Sequence, residues 1–418
     1  MSDKKDQTTN KVNVWWLSAT SFFTDISSEM IFPILPIFLK NVLGASYATI
    51  GLIEGVAEGL ASFLKYFSGY VSDLTRRRKG LTLIGYGLSA LSKLFFALAN
   101  SPFTVLLFRS LDRVGKGVRT SPRDALIAES VAAHERGKYF GFHRASDTAG
   151  AIIGTLVTVF VLYYAETSYL QPDLSSNIIR LIFILSFIPA IIGFLLLFFV
   201  REVKTSGPVS FQKRPLFQFG KFSGDFKFFL LVAALFGLAN YSYSFYILKA
   251  DELKLAVFLI PLVYLIYNIL YAASAYPAGK LSDRIGRTPV LAAAFILFAL
   301  INVGFAYNQE IVYLWPLFGL YGLFLGLTDG VLKAFVSDLA AKESQGEAFG
   351  LYHTVIGFTT LTGNAVGGFI WKLYGSVYPF LLSGFLIALA AILLWLKFYQ
   401  HNGFKTKTSP QDFKGYRS

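Results

Sequence analysis

Twelve apolar stretches, each long enough to cross a bilayer, run through this chain with little sequence between them. They cover residues 13–43, 47–73, 80–100, 102–130, 137–165, 174–200, 226–249, 254–284, 288–307, 310–342, 346–374 and 376–400. About 20 apolar residues in a helix span the hydrocarbon core, and in lipid only helices and closed barrels satisfy every backbone N–H and C=O. Runs such as LIFILSFIPAIIGFLLLFFV (181–200) lack the alternation of a barrel strand. The chain is therefore expected to be an all-α integral membrane protein of twelve transmembrane helices, with tilt or extension beyond the bilayer for the longer ones.

Composition agrees. Apolar residues make up 54 % and charged residues 15 % of the chain, against about 25 % charged in soluble domains, and the mean hydropathy is +0.54. The absence of cysteine excludes disulfides, a thiol nucleophile and thiolate metal ligation. The start, MSDKKDQTTNKVNVWW, shows no short apolar core followed by a small-residue cleavage site, so no removable signal peptide is expected.

The net charge of +13 is placed for topology rather than for nucleic acid. Cations gather in connections on one side of the membrane: Arg76 to Lys79, Lys280, Arg284, Arg287 and Lys342, a central segment with Arg201, Lys204, Lys213, Arg214 and Lys221, and a tail with Lys405, Lys407, Lys414 and Arg417. The opposite connections are nearly bare. Because Lys and Arg stay cytosolic, both termini are expected inside a plasma (bacterial inner) membrane.

The sequence repeats itself. Gly69, Ser72 and Asp73 return as Gly279, Ser282 and Asp283; GKYFG (137–141) faces GEAFG (346–350), Gly154 faces Gly363, and Glu129 faces Asp338. This predicts two pseudo-symmetric six-helix bundles, 13–200 and 226–400, with a cytosolic N-terminal tail (1–12), a basic linker (201–225) and a cytosolic tail (401–418). Two similar bundles suit a carrier whose substrate site lies between them near the bilayer midplane.

The motif after the second helix is Gly, three residues, Asp, a cation, any residue, Gly, then cations. Gly279, Asp283, Arg284, Gly286 and Arg287 match it fully; Gly69 and Asp73 match it with Leu74 and Arg76 departing. Arg109 with Gly115 and Gly117 resembles a second, helix-4 motif. On these residues the chain resembles the major facilitator superfamily over essentially its whole length, which implies that fold and secondary transport by alternating access. Physically, Gly69 and Gly279 permit close helix approach. Asp73 and Asp283, at cytosolic helix ends, can accept from exposed N–H groups and cations of a neighbouring helix. Such a contact acts as a latch only while the cytosolic side is closed.

Ionisable groups at bilayer depth are costly and mark candidate sites. The first half holds Asp25 and Glu29, then Glu54 and Glu58, each pair sharing a helix face at i, i+4. Arg109, Asp112, Arg113 and Lys116 follow on helix 4, and His143, Arg144 and Asp147 on helix 5. At 1.5 Å per residue, Glu29 lies roughly 24 Å along helix 1, and Glu58 and Arg113 roughly 16 Å along theirs from the other side, so all three can meet. Buried acids beside an Arg can relay protons, because pairing and hydration alter their proton affinity. Glu29, Glu58 and Arg113, with Asp25, Glu54, Arg109 and Asp147, form the candidate proton-coupling cluster; a static network between helices is the competing reading. Arg109, Arg113 and Lys116 on one face could instead bind an anion. Arg119 and Arg123 are expected to snorkel.

In the second half, Asn240, Tyr243, Tyr264, Tyr267, Asn268, Tyr271 and Asp329 are the candidate substrate wall, since rings with polar tips suit a small-molecule pocket. Asp329 and Lys333 are spaced to pair, and His353 is expected to pack. No metal-ligand spacing, phosphate loop or nucleophile elbow is present, so no cofactor, no nucleic-acid partner and no enzyme activity are expected. The expected function is proton-coupled export of a small molecule by a monomer. Proton-coupled uptake of an organic anion, or a non-transporting receptor on the same fold, are the alternatives.

Overall fold

The computed structural model describes residues 10–132, 135–168, 176–203, 220, 222–341 and 344–402. The cations Lys204, Lys213, Arg214, Lys221 and Lys342, and those of the tail, lie outside them. Among the described residues the fold is twelve helical rods: α1 (Lys11–Val42), α2 (Tyr47–Thr75), α3 (Arg78–Leu98), α4 (Pro102–Ser130), α5 (Arg136–Ser168), α6 (Ser176–Phe199), α7 (Gly224–Glu252), α8 (Val257–Ile285), α9 (Arg287–Tyr307), α10 (Ile311–Leu339), α11 (Gln345–Tyr374) and α12 (Val377–Asn402). Ten are long and apolar enough to cross a membrane on those grounds alone. The other two are α4, crowded with charge, and α11, rich in Gly and Thr; each packs against several neighbouring rods and keeps an exposed apolar face.

Local chemistry sets the ends. Ser46 accepts from the Thr49 amide at 3.1 Å to start α2, and Ser101 and Thr104 form a capping box ahead of Pro102 at the head of α4, satisfying amides that lack partners in a first turn. α2 ends on Arg76 in the left-handed region (φ 53°) and α8 on Gly286 (φ 95°). The position is the same in both copies of the repeat, and only the second uses the residue that adopts it without a Cβ penalty.

The first six rods pack on one another, as do the last six. The repeat extends to side chains. Arg78 holds Asp73 (3.3 Å) and Glu129 (2.8 Å), and Arg287 holds Asp283 (2.5 Å) and Asp338 (3.1 Å). Both innermost rods are broken at matching places. Pro33, which lacks an N–H and crowds the preceding turn, interrupts α1 between Ile31 and Leu35, and α7 is interrupted between Ala239 and Tyr243.

The halves meet closely at the end away from the basic connections. There α2 and α11 lie backbone to backbone: a Cβ on Gly55 would stand 2.7 Å from the Leu361 carbonyl, and one on Gly368 2.5 Å from that of Tyr47. Tyr47 stacks on Trp371 (4.8 Å) and Lys40 pairs with Asp251 at 2.8 Å. At the basic end the rods splay. A Cβ on Gly137, Gly141, Gly279 or Gly346 would meet nothing within 4 Å, and the Asp73 and Asp283 side chains are 74 % and 65 % exposed.

The expectation for Gly279 changes, whereas the latch, which needs this end closed, is not formed here. Gly69 does permit close packing, its Cβ position being 3.3 Å from Ser121, whereas Gly279 borders open space. Asp73 and Asp283 bind cations of their own half, because this conformation is open where the latch would close; Arg284 is exposed. Arg119 does not snorkel either: it is buried over the Tyr86 ring at 4.2 Å, and Arg123 donates to Asp124 (2.8 Å) and Ser21 (3.1 Å).

Candidate functional site

A cavity of about 430 Å³ lies between the halves at the level of the two breaks. That is room for a drug-sized molecule. Its walls differ in kind. α1, α2, α4 and α5 contribute its carboxylates, Asp25, Glu29, Glu58 and Asp147, and its cations, Arg113, Lys116 and Arg144. α7, α8, α10 and α11 contribute aromatic and neutral polar groups: Asn240, Tyr243, Tyr264, Tyr267, Asn268 and Tyr271, with Ser242, Tyr321 and Thr360.

The expected charges thus come together, in layers. Facing the cavity, Arg113 donates toward Glu58 at 3.4 Å, and Glu58 stays 34 % exposed. One turn deeper, Arg109 and Glu54 form a fully buried pair at 3.1 Å. Behind them Lys93 holds Asp112 at 2.9 Å, also buried. Three cations surround one ring, Phe32, with Lys93 Nζ at 4.9 Å, Arg109 at 4.4 Å and Arg113 at 4.8 Å from its centroid. Stacking of this kind keeps cations paired where water is excluded.

Asp25, Glu29 and Asp147 are different. They line the cavity half-buried, and Glu29 Oε2 and Asp147 Oδ1 are buried with no hydrogen-bond partner. His143 stands 3.7 Å from Asp147, with its ring nitrogens 3.3 and 3.4 Å from Ser18 and Ser21. Buried acceptors without donors are uncommon and call for a reason. Here they are carboxylates able to take a proton or a ligand cation.

On the facing wall the tyrosines form a chain of rings, Tyr243 to Tyr264 (5.2 Å), Tyr264 to Tyr267 (5.3 Å) and Tyr267 to Tyr321 (5.0 Å). Asp329 departs from expectation: it is not in the cavity wall but at its edge, accepting from Lys333 (2.7 Å) and Tyr271 (3.0 Å). His353 packs beside Tyr352 (5.3 Å).

Lys93, Phe32, Ser242 and Tyr321 were not legible as site residues. Lys93 carried a usable signal, a lone cation in the apolar run LSALSKLFFALAN. The other three look like packing until the halves are assembled. Among the described residues no group of His, Cys, Asp and Glu is placed to hold a metal.

A family model described as the Major Facilitator Superfamily matches residues 17–255 and 247–416. An uncharacterised MFS-type transporter of Methanocaldococcus jannaschii is 40 % identical over 393 residues, covering 90 % of this chain and 94 % of that protein. The multidrug resistance protein MdtH of Photorhabdus laumondii is 31 % identical over 135 residues, about a third of each chain (32 % and 33 %). Among solved structures, a variant of the nucleoside transporter NupG superposes with TM-score 0.77 at 16 % identity, over 92 % of this chain and all of the other. A bacterial homologue of the human lysosomal transporter Spinster, inward-facing and occupied, gives 0.73 at 15 % identity over 96 % and 99 %. At such identities the structural likeness is one of fold. With the repeat, the twelve rods and the central cavity, these matches give the family: the chain belongs to the Major Facilitator Superfamily of transporters.

Proposed function

We propose that this transporter exports a small molecule in exchange for protons, working as a monomer in the plasma (bacterial inner) membrane with its basic end and both termini in the cytosol. In that orientation the conformation described above is inward-facing. The observation that carries the reading is the set of cavity carboxylates Asp25, Glu29 and Asp147, of which two hold buried oxygens without a partner. A carboxylate that has taken a proton no longer attracts a cationic group. A substrate amine and a proton therefore compete for the same oxygens, and competition coupled to alternating access is exchange. The tyrosine wall opposite suits the apolar body of such a substrate. The MdtH relative, a multidrug resistance protein by name, supports efflux.

A second reading rests on Arg113, Lys116 and Arg144, which face the same space and could hold an organic anion. Four carboxylates beside these three cations weigh against it.

Thermal stabilisation of the purified protein by panels of organic cations, anions and neutral compounds, at two pH values, separates the readings. Cation stabilisation that grows with pH and is lost in Asp25→Asn and Glu29→Gln is expected. Stabilisation by anions that disappears in Arg113→Gln selects the carrier of anions. Once a substrate is known, unchanged substrate-linked proton movement in both Glu29→Gln and Glu58→Gln would reduce the cluster to a structural role.

A further inference from the structure

The buried pair Glu54–Arg109 belongs wholly to the first half, yet both members reach across to the second. Arg109 Nη2 donates to the Tyr243 hydroxyl at 2.9 Å, and the Ser242 hydroxyl donates to Glu54 Oε2 at 3.1 Å. Ser242 and Tyr243 are where α7 restarts after its break. Their backbone is fixed there by Asn364, fully buried on α11, whose Oδ1 accepts from the Ser242 amide at 2.8 Å. The break in α1 lies alongside, with Phe32 stacked under Arg109 and 6.4 Å from the Tyr243 ring.

We propose that Ser242 and Tyr243 are the positioning residues of a gate on the bare side of the cavity: their two hydroxyls fasten the second half to the Glu54–Arg109 pair while that side is shut, and withdraw from it when that side opens. The proposal rests on the alternating-access reading above.

The energetics suit a gate that must reopen. An ion pair removed from water is stabilising only if its remaining polar atoms are satisfied. This one is not fully so, since Glu54 Oε1, Arg109 Nε and Arg109 Nη1 are buried without partners. The two hydroxyls supply part of what the pair lacks, and water would supply the rest on opening. Losing either hydroxyl would leave more of the buried pair unsatisfied and so weaken the shut state. Nearer the rim, Lys40 and Asn41 on Asp251 (2.8 and 3.0 Å) add a wetter second fastening, partly exposed and therefore weaker.

The chain has no cysteine, so one introduced thiol reports without background. A membrane-impermeant maleimide is applied to sealed vesicles of each orientation carrying Ala272→Cys, a cavity-wall position. In the parent, labelling from the basic end is expected to be much the faster. Tyr243→Phe and Ser242→Ala are each expected to raise the rate from the bare end about tenfold, the change that accompanies 1.4 kcal/mol in the equilibrium between states. Each deletes one hydroxyl and keeps the side chain's shape, so a variant that fails to express leaves the other to decide. An unchanged ratio of rates, with basic-end labelling intact, overturns the gate while leaving alternating access standing. Equal labelling from both ends in the parent itself overturns alternating access, and the gate with it.

Discussion

Gly368→Ala tests how the bare end closes. Gly368 lies on α11 where it crosses α2, and a Cβ there would sit 2.5 Å from the Tyr47 carbonyl oxygen and 3.0 Å from Gly51 Cα. Ordinary contact begins near 3.4 Å, so the methyl falls short by roughly 0.9 Å against the oxygen. Both obstacles are backbone in rigid helices, so no side chain can swing aside. The halves must part on this side, or one helix must shift. Overpacking of this kind costs about 1–3 kcal/mol. Because the seam exists only while this end is shut, the cost falls on that state and shifts the equilibrium about 5- to 150-fold toward the other. Spin labels at Asn100→Cys and Glu310→Cys, in exposed turns of the two halves at this end, should report a longer separation in Gly368→Ala. Gly80→Ala, where a Cβ meets nothing within 4 Å, serves as control. An unchanged distance distribution in Gly368→Ala would refute the idea that backbone contact at this seam defines the shut state.

Two further expectations concern stability alone, and thermal or chaotrope unfolding in detergent checks both. Lys93→Ala should cost up to about 3–5 kcal/mol by taking the close partner from buried Asp112, which then keeps only Arg113 Nε at 4.0 Å, whereas the double variant Lys93→Met with Asp112→Leu should be milder, since the buried carboxylate goes with its lysine. Arg76→Gly should stabilise by about 1 kcal/mol, because the αL conformation at the end of α2 strains any residue with a Cβ; no gain would mean that the Arg76 side chain offsets the strain.

The repeat and the spanning lengths came from residue order alone because both are one-dimensional: a helix must present about 20 apolar residues to lipid, and a duplicated bundle repeats its Gly and Asp at a nearly constant offset; the matching Arg78 and Arg287 triads came only with the structure. Charges at bilayer depth were legible for the same reason, since Glu54, Glu58, Arg109 and Arg113 break apolar runs that would otherwise be lipid-soluble. Pairing was not. Sequence grouped Glu29, Glu58 and Arg113 at one level without saying which acid pairs; α2 and α4 pack so that Glu58 takes Arg113 and Glu54 takes Arg109, while Glu29 lines the same cavity with no arginine partner among the described residues. Asp329 shares a helix with the cavity residue Tyr321 yet does not line the cavity, and pairs with Lys333 one turn away. Ser242 and Phe32 gain meaning only from the opposite half, and the latch aspartates only from which end is open. Composition and period fix what must lie in lipid; which buried charge meets which partner depends on helix rotation and on the approach of two bundles, and those are properties of the assembled molecule.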